Sequence, residues 1–244
     1  MRFAADGPTA PRRTARIRVM TPTEAMADGS RAADPGRLDD PLDDAPLARL
    51  ASWIELARSH PSIRNADAMA LATVDPEGDP QVRFVLCRGL DVERGRATFY
   101  TNERSAKGRD LARHARASAA FYWDPLGRQA RVSGRIERAT AAESDAYFAG
   151  RHPLSQLSAW ASEQSAPIDS RLDLEARLAA ARTRHGDGVQ GPIPRPPHWG
   201  GYHLVIERVE LWVEREGRLH DRAEWRLRAG DGEPLAWEGR RLQP

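Results

Sequence analysis

An antiparallel β-barrel flanked by helices is the fold this sequence predicts. About seven short apolar runs are joined mainly by hairpin-length polar turns, and helical patterns interrupt the strands rather than alternate with them. The chain also contains no GxGxxG, P-loop, CxxC or HExxH pattern, which removes the dinucleotide-fold, phosphate-loop and common zinc readings.

Residues 1–44 hold five prolines and a single aromatic, Phe3, among scattered Asp, Arg and Ala. Such a segment buries too little to offset its ordering entropy, so it reads as a disordered extension, with 45–244 as the folded domain. The domain opens with "APLARLASWIELARSH", where Leu47, Leu50, Ile54 and the neighbouring Trp53 fall at helical spacing. Strands follow: "MALATV", the turn "DPEGD", "QVRFVLCRG", a second polar turn, and "ATFYT". Ser105 then caps a helix through "AKGRDLARHA". The strand "ASAAFYW", the turn "DPLGR" and the long strand "QARVSGRIERA" come next. Thr140 and Glu143 form a capping-box pattern for a helix ending near Gly150. A second helix, "SRLDLEARLAAARTRH", carries Leu172, Leu174, Leu178 and Ala181 on roughly one stripe. "GDGVQGPIPRPPHWGG" is too rich in Pro and Gly for regular structure. "YHLVIERVELWV" and "RLHDRAEWRLR" are two long strands turning at Gly217, with a last strand near "PLAWEGRRL".

The formal net charge of +2, with both signs interleaved, implies no acidic polymer and no nucleic acid as partner. One cysteine, Cys87, excludes an intramolecular disulfide and reads as a buried small hydrophobe. No apolar run approaches the roughly 20 residues that span a bilayer, and the Arg- and Ala-rich start lacks a signal-peptide centre, so a soluble cytoplasmic protein is expected.

Four features suggest chemistry. Lys107 is the single lysine among 37 basic residues. Either chance retained it in an arginine-biased chain, or its site needs a compact ammonium rather than a planar fork. In "GRLHDR", a strand would set Arg218, His220 and Arg222 on one face, as a cationic stripe for an anion or electron-rich ring or as a solvated outer face. Tyr147, Arg151 and Ser155 are spaced by four and four, so they can converge on an anion or decorate a helix surface; Pro153 breaks continuous helix and leaves convergence to the loop. Arg83 and Arg88 differ by an odd number and serve opposite faces of a regular strand, and an arginine within an apolar strand is costly to bury without a partner.

Taken in order, "RFVLCR", "FYTNERSAKG", "RQARVSG", "YFAGRHPLSQLSAWASEQS", "PPHWGGY", "ELW", "RLHDR" and the terminal "RRLQP" resemble the pyridoxamine 5'-phosphate oxidase family of FMN-dependent split-barrel flavoproteins. The resemblance runs from about residue 45 to the C-terminus. It implies a split barrel and a homodimer with FMN at the subunit interface. FMN contacts would come from Arg83, Val85, Leu86, Tyr100, Thr101 and Lys107, completed by Gln129, Gln164, Ser165, Trp212 and Arg222. The substrate phosphate clamp maps onto Arg88, Tyr147, Arg151 and Ser155, while Arg218 and His220 match the catalytic pair against the pyridine ring. No metal is implied.

The activity implied is oxidation of pyridoxine or pyridoxamine 5'-phosphate to pyridoxal 5'-phosphate, with O2 as acceptor and H2O2 as product. A phenazine-type oxidase of secondary metabolism and a non-catalytic FMN- or pyridoxal-phosphate-binding protein are the alternatives. Three features depart from the family pattern: Ala106 stands where many members have an FMN-contacting arginine, Arg88 replaces a lysine, and residues 1–44 show no pattern matching the Arg and Tyr of a substrate-covering arm.

Overall fold

The computed structural model describes residue 38 and residues 42–188, 191–228 and 236–244. Most of the predicted N-terminal extension therefore lies outside the described residues. Its last part does not: Leu38 is buried and its carbonyl accepts from Arg241, and Trp225 Nε1 donates to the carbonyl of Asp43 at 2.7 Å. The packed body thus begins ahead of residue 45.

Helix α1 (Pro46–Ser59) has proline in its first turn and buries Leu47, Leu50, Trp53, Ile54 and Ala57, the face its spacing predicts. Strands β1 (Ala68–Val74), β2 (Pro80–Leu86), β3 (Gly89–Asp91) and β4 (Arg96–Asn102) follow, then α2 (Ala106–Arg113), β5 (Arg116–Trp123) and β6 (Arg128–Arg138). Helices α3 (Ala141–Ala149), α4 (Pro153–Ala161) and α5 (Arg171–His185) precede β7 (Trp199–Val213), β8 (Asp221–Arg228) and β9 (Ala236–Leu242).

All strand pairs are antiparallel, in the order β2-β1-β5-β6-β7-β4-β3, with β8 pairing β7 and β9 pairing β8. The edge strands β2 and β3 are consecutive in the chain, so Cys87 and Arg88 join the two edges of the path. The Arg88 amide donates to the Thr98 carbonyl at 2.7 Å, which fixes Arg88 at that seam. Inside lie Trp53, Phe99, Phe121, Trp123, Leu211 and Trp225, all 2 % exposed or less. The fold is an antiparallel split β-barrel with flanking helices, as expected.

Several local expectations needed correction. "QVRFVLCRG" is not one strand; it ends at Leu86 and restarts as the short β3. Residues Pro153–Ala161 form a helix, capped by His152, whose Nδ1 accepts from the Leu154 amide at 3.2 Å. The stripe on α5 is not a buried face: Ala181 is buried, but Leu172 is 74 % exposed. "RLHDR" does not begin in a strand, because Glu216–Arg218 form a 3-10 turn and β8 starts only at Asp221. Arg218 itself has φ 62, so it and His220 share no strand face with Arg222. The capping box of Thr140 and Glu143, the Ser105 cap and buried Cys87 stand as read, and burial pushes the Cys87 thiol up.

Strand β2 leaves an apolar face uncovered, with Val82 70 % and Phe84 78 % exposed. The β6–β7 ladder shifts register between Ser133 and Gly134. A Cβ on Gly134 would stand 1.9 Å from the Val205 carbonyl oxygen, a backbone atom that cannot swing away. Gly134→Ala is therefore expected to destabilise the fold by about 2–3 kcal/mol in urea unfolding. An unchanged midpoint would show that the bulge can be rebuilt without glycine.

Candidate functional site

Lys107 lies in the first turn of α2. Its helix is started by Ser105, whose Oγ accepts from the Gly108 amide at 3.3 Å, and a Cβ at Gly108 would meet the Glu103 carbonyl oxygen at 2.1 Å. The "SAKG" stretch is thus a local device that turns the lysine inward. Lys107 is 8 % exposed, and its Nζ donates to Gln164 Oε1 at 2.7 Å and to Thr101 Oγ1 and Ser105 Oγ at 3.1 Å each. All three acceptors are neutral. Burial pushes its pKa down to about 8, and Arg83 adds to the effect while Asp110 opposes it.

These residues border a cavity of about 410 Å³. Of the expected cofactor contacts it brings together Val85, Leu86, Tyr100, Thr101, Lys107 and Gln164, and all four residues of the expected phosphate clamp, Arg88, Tyr147, Arg151 and Ser155, line it too. The clamp converges across a break in the helix: Tyr147 lies on α3, Arg151 in the link, and Ser155 in the first turn of α4. Tyr147 stacks on Tyr100 with centroids 3.9 Å apart and planes at 2°, and Trp199 continues the stack 5.5 Å from Tyr100. Arg151 lies over the Trp199 ring, its Cζ 4.7 Å from the centroid. Its Nη1 is buried with no hydrogen-bond partner among the described residues, and burial holds the guanidinium below its ordinary pKa. A buried donor left unpaired in a cationic cavity is suited to an anionic ligand.

The remaining expected residues lie elsewhere. Arg83 does not line the cavity; its guanidinium donates to Thr73 Oγ1 at 2.5 Å, Leu71 O at 3.3 Å and Asp110 Oδ2 at 3.2 Å. Ser165 is exposed at φ 73, next to Gln164 but outside the lining. Gln129, Trp212 and Arg222 are cross-strand neighbours on β6, β7 and β8 and line a second cavity of about 240 Å³. There Arg222 donates to Glu210 Oε1 at 2.8 Å and to the Gln243 carbonyl at 3.0 Å. His220 packs on Trp212 at 4.5 Å between centroids and accepts from the Arg215 amide through Nδ1. Arg218 is exposed on the adjoining turn.

The sequence reading missed Trp199 and Asp110. Trp199 required the tertiary stack to be seen. Asp110 follows Lys107 by three residues on one helix, a spacing that places both on the same side and was there to be read. Among the described residues no group of three or more His, Cys, Asp or Glu could hold a metal, and no helix is long and apolar enough to cross a membrane.

Residues 58–185 match the sequence model described as pyridoxamine 5'-phosphate oxidase, and 199–244 that of the pyridoxine 5'-phosphate oxidase C-terminal dimerisation region. The chain belongs to the pyridoxamine 5'-phosphate oxidase family. A member from Azorhizobium caulinodans, named pyridoxine/pyridoxamine 5'-phosphate oxidase, is 46% identical over 202 residues, covering 82% of this chain and 91% of its own. A member of the same name from Ralstonia pickettii is 48% identical over 203 residues, covering 83% and 91%. Among solved structures, PhzG from Burkholderia lata 383, in complex with tetrahydrophenazine-1-carboxylic acid, is similar with TM-score 0.74 and 31% identity, covering 85% of this chain and 96% of that one. A pyridoxamine 5'-phosphate oxidase-related, FMN-binding protein from Nostoc punctiforme shares the fold at TM-score 0.62 and 19% identity, covering 81% and 96%.

The cavity holds one titratable cation near neutrality, Lys107, and two arginines that stay charged. Sulfate, whose charge is constant over this range, is therefore expected to raise the thermal midpoint more at pH 7 than at pH 9, because Lys107 loses its proton as pH rises through about 8. In an Arg88→Met/Arg151→Met variant the residual shift at pH 9 should vanish. Equal shifts at both pH values in the unaltered protein would remove Lys107 from the anion site.

Proposed function

We propose that the protein is an FMN-dependent oxidase of pyridoxine 5'-phosphate or pyridoxamine 5'-phosphate, acting as a homodimer in the cytoplasm. The observation that carries this reading is the buried, unpaired Arg151 Nη1 set beside Arg88, Tyr147 and Ser155 in the cavity that also holds Lys107. That cavity offers cationic groups at two places, which fits two phosphorylated ligands side by side. FMN, when bound, supplies the hydride acceptor and passes the electrons to O2, giving H2O2.

The residues present fit such a cofactor. Among the described residues Lys107 Nζ is held only by neutral oxygens, so an anionic phosphate could approach without displacing a carboxylate from it. Thr101 and Gln164 supply polar contacts beside it, and Val85 and Leu86 line the same cavity from β2 and its end. Arg88 and Arg151 would grip the substrate phosphate, with Tyr147 and Ser155 donating from the break between α3 and α4. In place of lysine, Arg88 keeps the charge and adds a fork that can bind phosphate bidentately.

Gln129, Trp212 and Arg222, with Arg218 and His220 beyond them, would complete the site of the other protomer. The match of 199–244 to a dimerisation region and the uncovered apolar face of β2 support that arrangement. From the exposed turn Arg218 would reach the substrate ring and offset developing charge, and His220, steadied by Trp212 and the Arg215 amide, would orient the ring or relay a proton.

The similarity to PhzG favours a second reading, a phenazine-type oxidase. The four-residue phosphate clamp favours the first. With FMN loaded and oxygen removed, pyridoxine 5'-phosphate is expected to bleach the visible flavin band, and air should restore it with formation of pyridoxal 5'-phosphate. Arg151→Met should raise KM for the phosphorylated substrate about a hundredfold, the worth of a lost charge-assisted pair, and Arg218→Ala should cut kcat with FMN still bound. Binding of FMN without bleaching by either vitamer would move the function to the phenazine-type or the non-catalytic reading.

A further inference from the structure

Asp110 lies on α2 one turn after Lys107, with a side chain 4 % exposed. Its Oδ2 accepts from Thr73 Oγ1 on β1 at 2.6 Å and from Arg83 Nη2 on β2 at 3.2 Å. A buried carboxylate needs partners, and fastening α2 to the sheet would by itself account for these bonds. The position of Lys107 adds something that fastening does not explain. The lysine is buried beside a buried acid, yet its three hydrogen bonds go to Thr101, Ser105 and Gln164 and none to that acid. Asp110 Oδ2 is engaged by Arg83 and Thr73 instead.

We infer that Asp110 is a positioning residue of the anion site, held off Lys107 by Arg83 and Thr73 so that its field keeps the ammonium charged while leaving it open to a phosphate. This rests on the reading of the Lys107 pocket as the seat of the FMN phosphate. The charged groups that act on Lys107 are Arg83 from β2 and Asp110 from its own helix; β4 and the segment after α4 contribute the neutral Thr101 and Gln164. Arg83 thereby acquires an indirect role. It occupies the carboxylate that would otherwise neutralise the lysine, and its own charge opposes that of the lysine. With Ala106 where many family members have arginine, the charge of this pocket depends all the more on the pair.

The direction of the pH dependence follows. Free Lys107 loses its proton as pH rises through about 8, so FMN affinity should be level from pH 6.5 to about 7.5 and fall above 8. Removing the negative field of Asp110 should move that inflection down. Removing Arg83 frees Asp110 to pair with Lys107 and should move it up.

The test is FMN fluorescence quenching on the full chain, giving Kd against pH for the unaltered protein, Asp110→Asn, Asp110→Glu and Arg83→Met. Asp110→Asn should weaken binding at pH 7.5 about threefold, because an inflection about one pH unit lower leaves roughly a quarter rather than three quarters of Lys107 charged, and Asp110→Glu should recover most of the loss. Arg83→Met should also bind more weakly, but with its inflection at higher pH. Should Asp110→Asn not fold, Thr73→Val decides, because it frees Asp110 without changing any charge: its inflection should move up, and no movement would overturn the inference. Weaker binding by the same factor at every pH, with no movement of the inflection in either direction, would reduce Asp110 to a fastener and overturn the inference. Failure of the unaltered protein to bind FMN would instead sink the reading of the pocket, a distinct outcome.

Discussion

Strand β7 is the constraint on which the rest of the structure depends. It pairs with β6, β4 and β8, and all fifteen of its residues are buried or half-buried. Its beginning carries Trp199, which stacks with Tyr100 and orients Arg151, and its end carries Trp212, flanked by Gln129 and Arg222. At about 3.3 Å per residue, the two tryptophans are separated by roughly 40 Å of strand contour. A single strand therefore feeds two different cavities, and one protomer cannot close both sets of residues on one ligand by small adjustments. The proposed pairing of two copies, with the β7 start of one facing the β7 end of the other, would bring the two sets together with no change in either fold.

The chemistry of the first cavity follows from how charge is buried there. An ammonium surrounded by neutral oxygens is satisfied in hydrogen bonds and unsatisfied in charge, which is why burial lowers the Lys107 pKa to about 8. Arg151 shows the complementary condition, with its charge permanent and one donor unpaired. Both states are unfavourable for the empty protein and become favourable when an anion arrives. The cavity is suited to an anion by the same features that would make it a weak point in a purely structural core.

Much of this was legible in the sequence because it is set locally. The capping box of α3, the Ser105 cap, the apolar face of α1 and the turns between strands all rest on residues within a few positions of one another. The ordered motifs carried the family, and with it the residues of the first cavity. What sequence could not give was set at long range or at ends of elements. Pro153 was read as a breaker, whereas at a first turn it starts α4. The alternation in "RLHDR" suggested a shared face, but the turn at Gly217 and the positive φ of Arg218 delay β8 to Asp221. Arg83 stands out in the sequence because an arginine within an apolar strand needs a partner. The structure supplies one from its own chain, Asp110, 27 residues away.

The central claim is that each active site is built from the Lys107 cavity of one protomer and the Trp212–Arg222 row of its partner. Subunit mixing tests it most directly. Lys107→Met and Arg222→Met homodimers, each inactive, would be unfolded together, refolded as a mixture and assayed for FMN-dependent oxidation. A composite site predicts that heterodimers regain one intact site, so that an equal mixture recovers about a quarter of the unaltered activity. If the mixture is as inactive as its parents while heterodimers are shown to have formed, the two sets of residues serve the same protomer and the account is wrong.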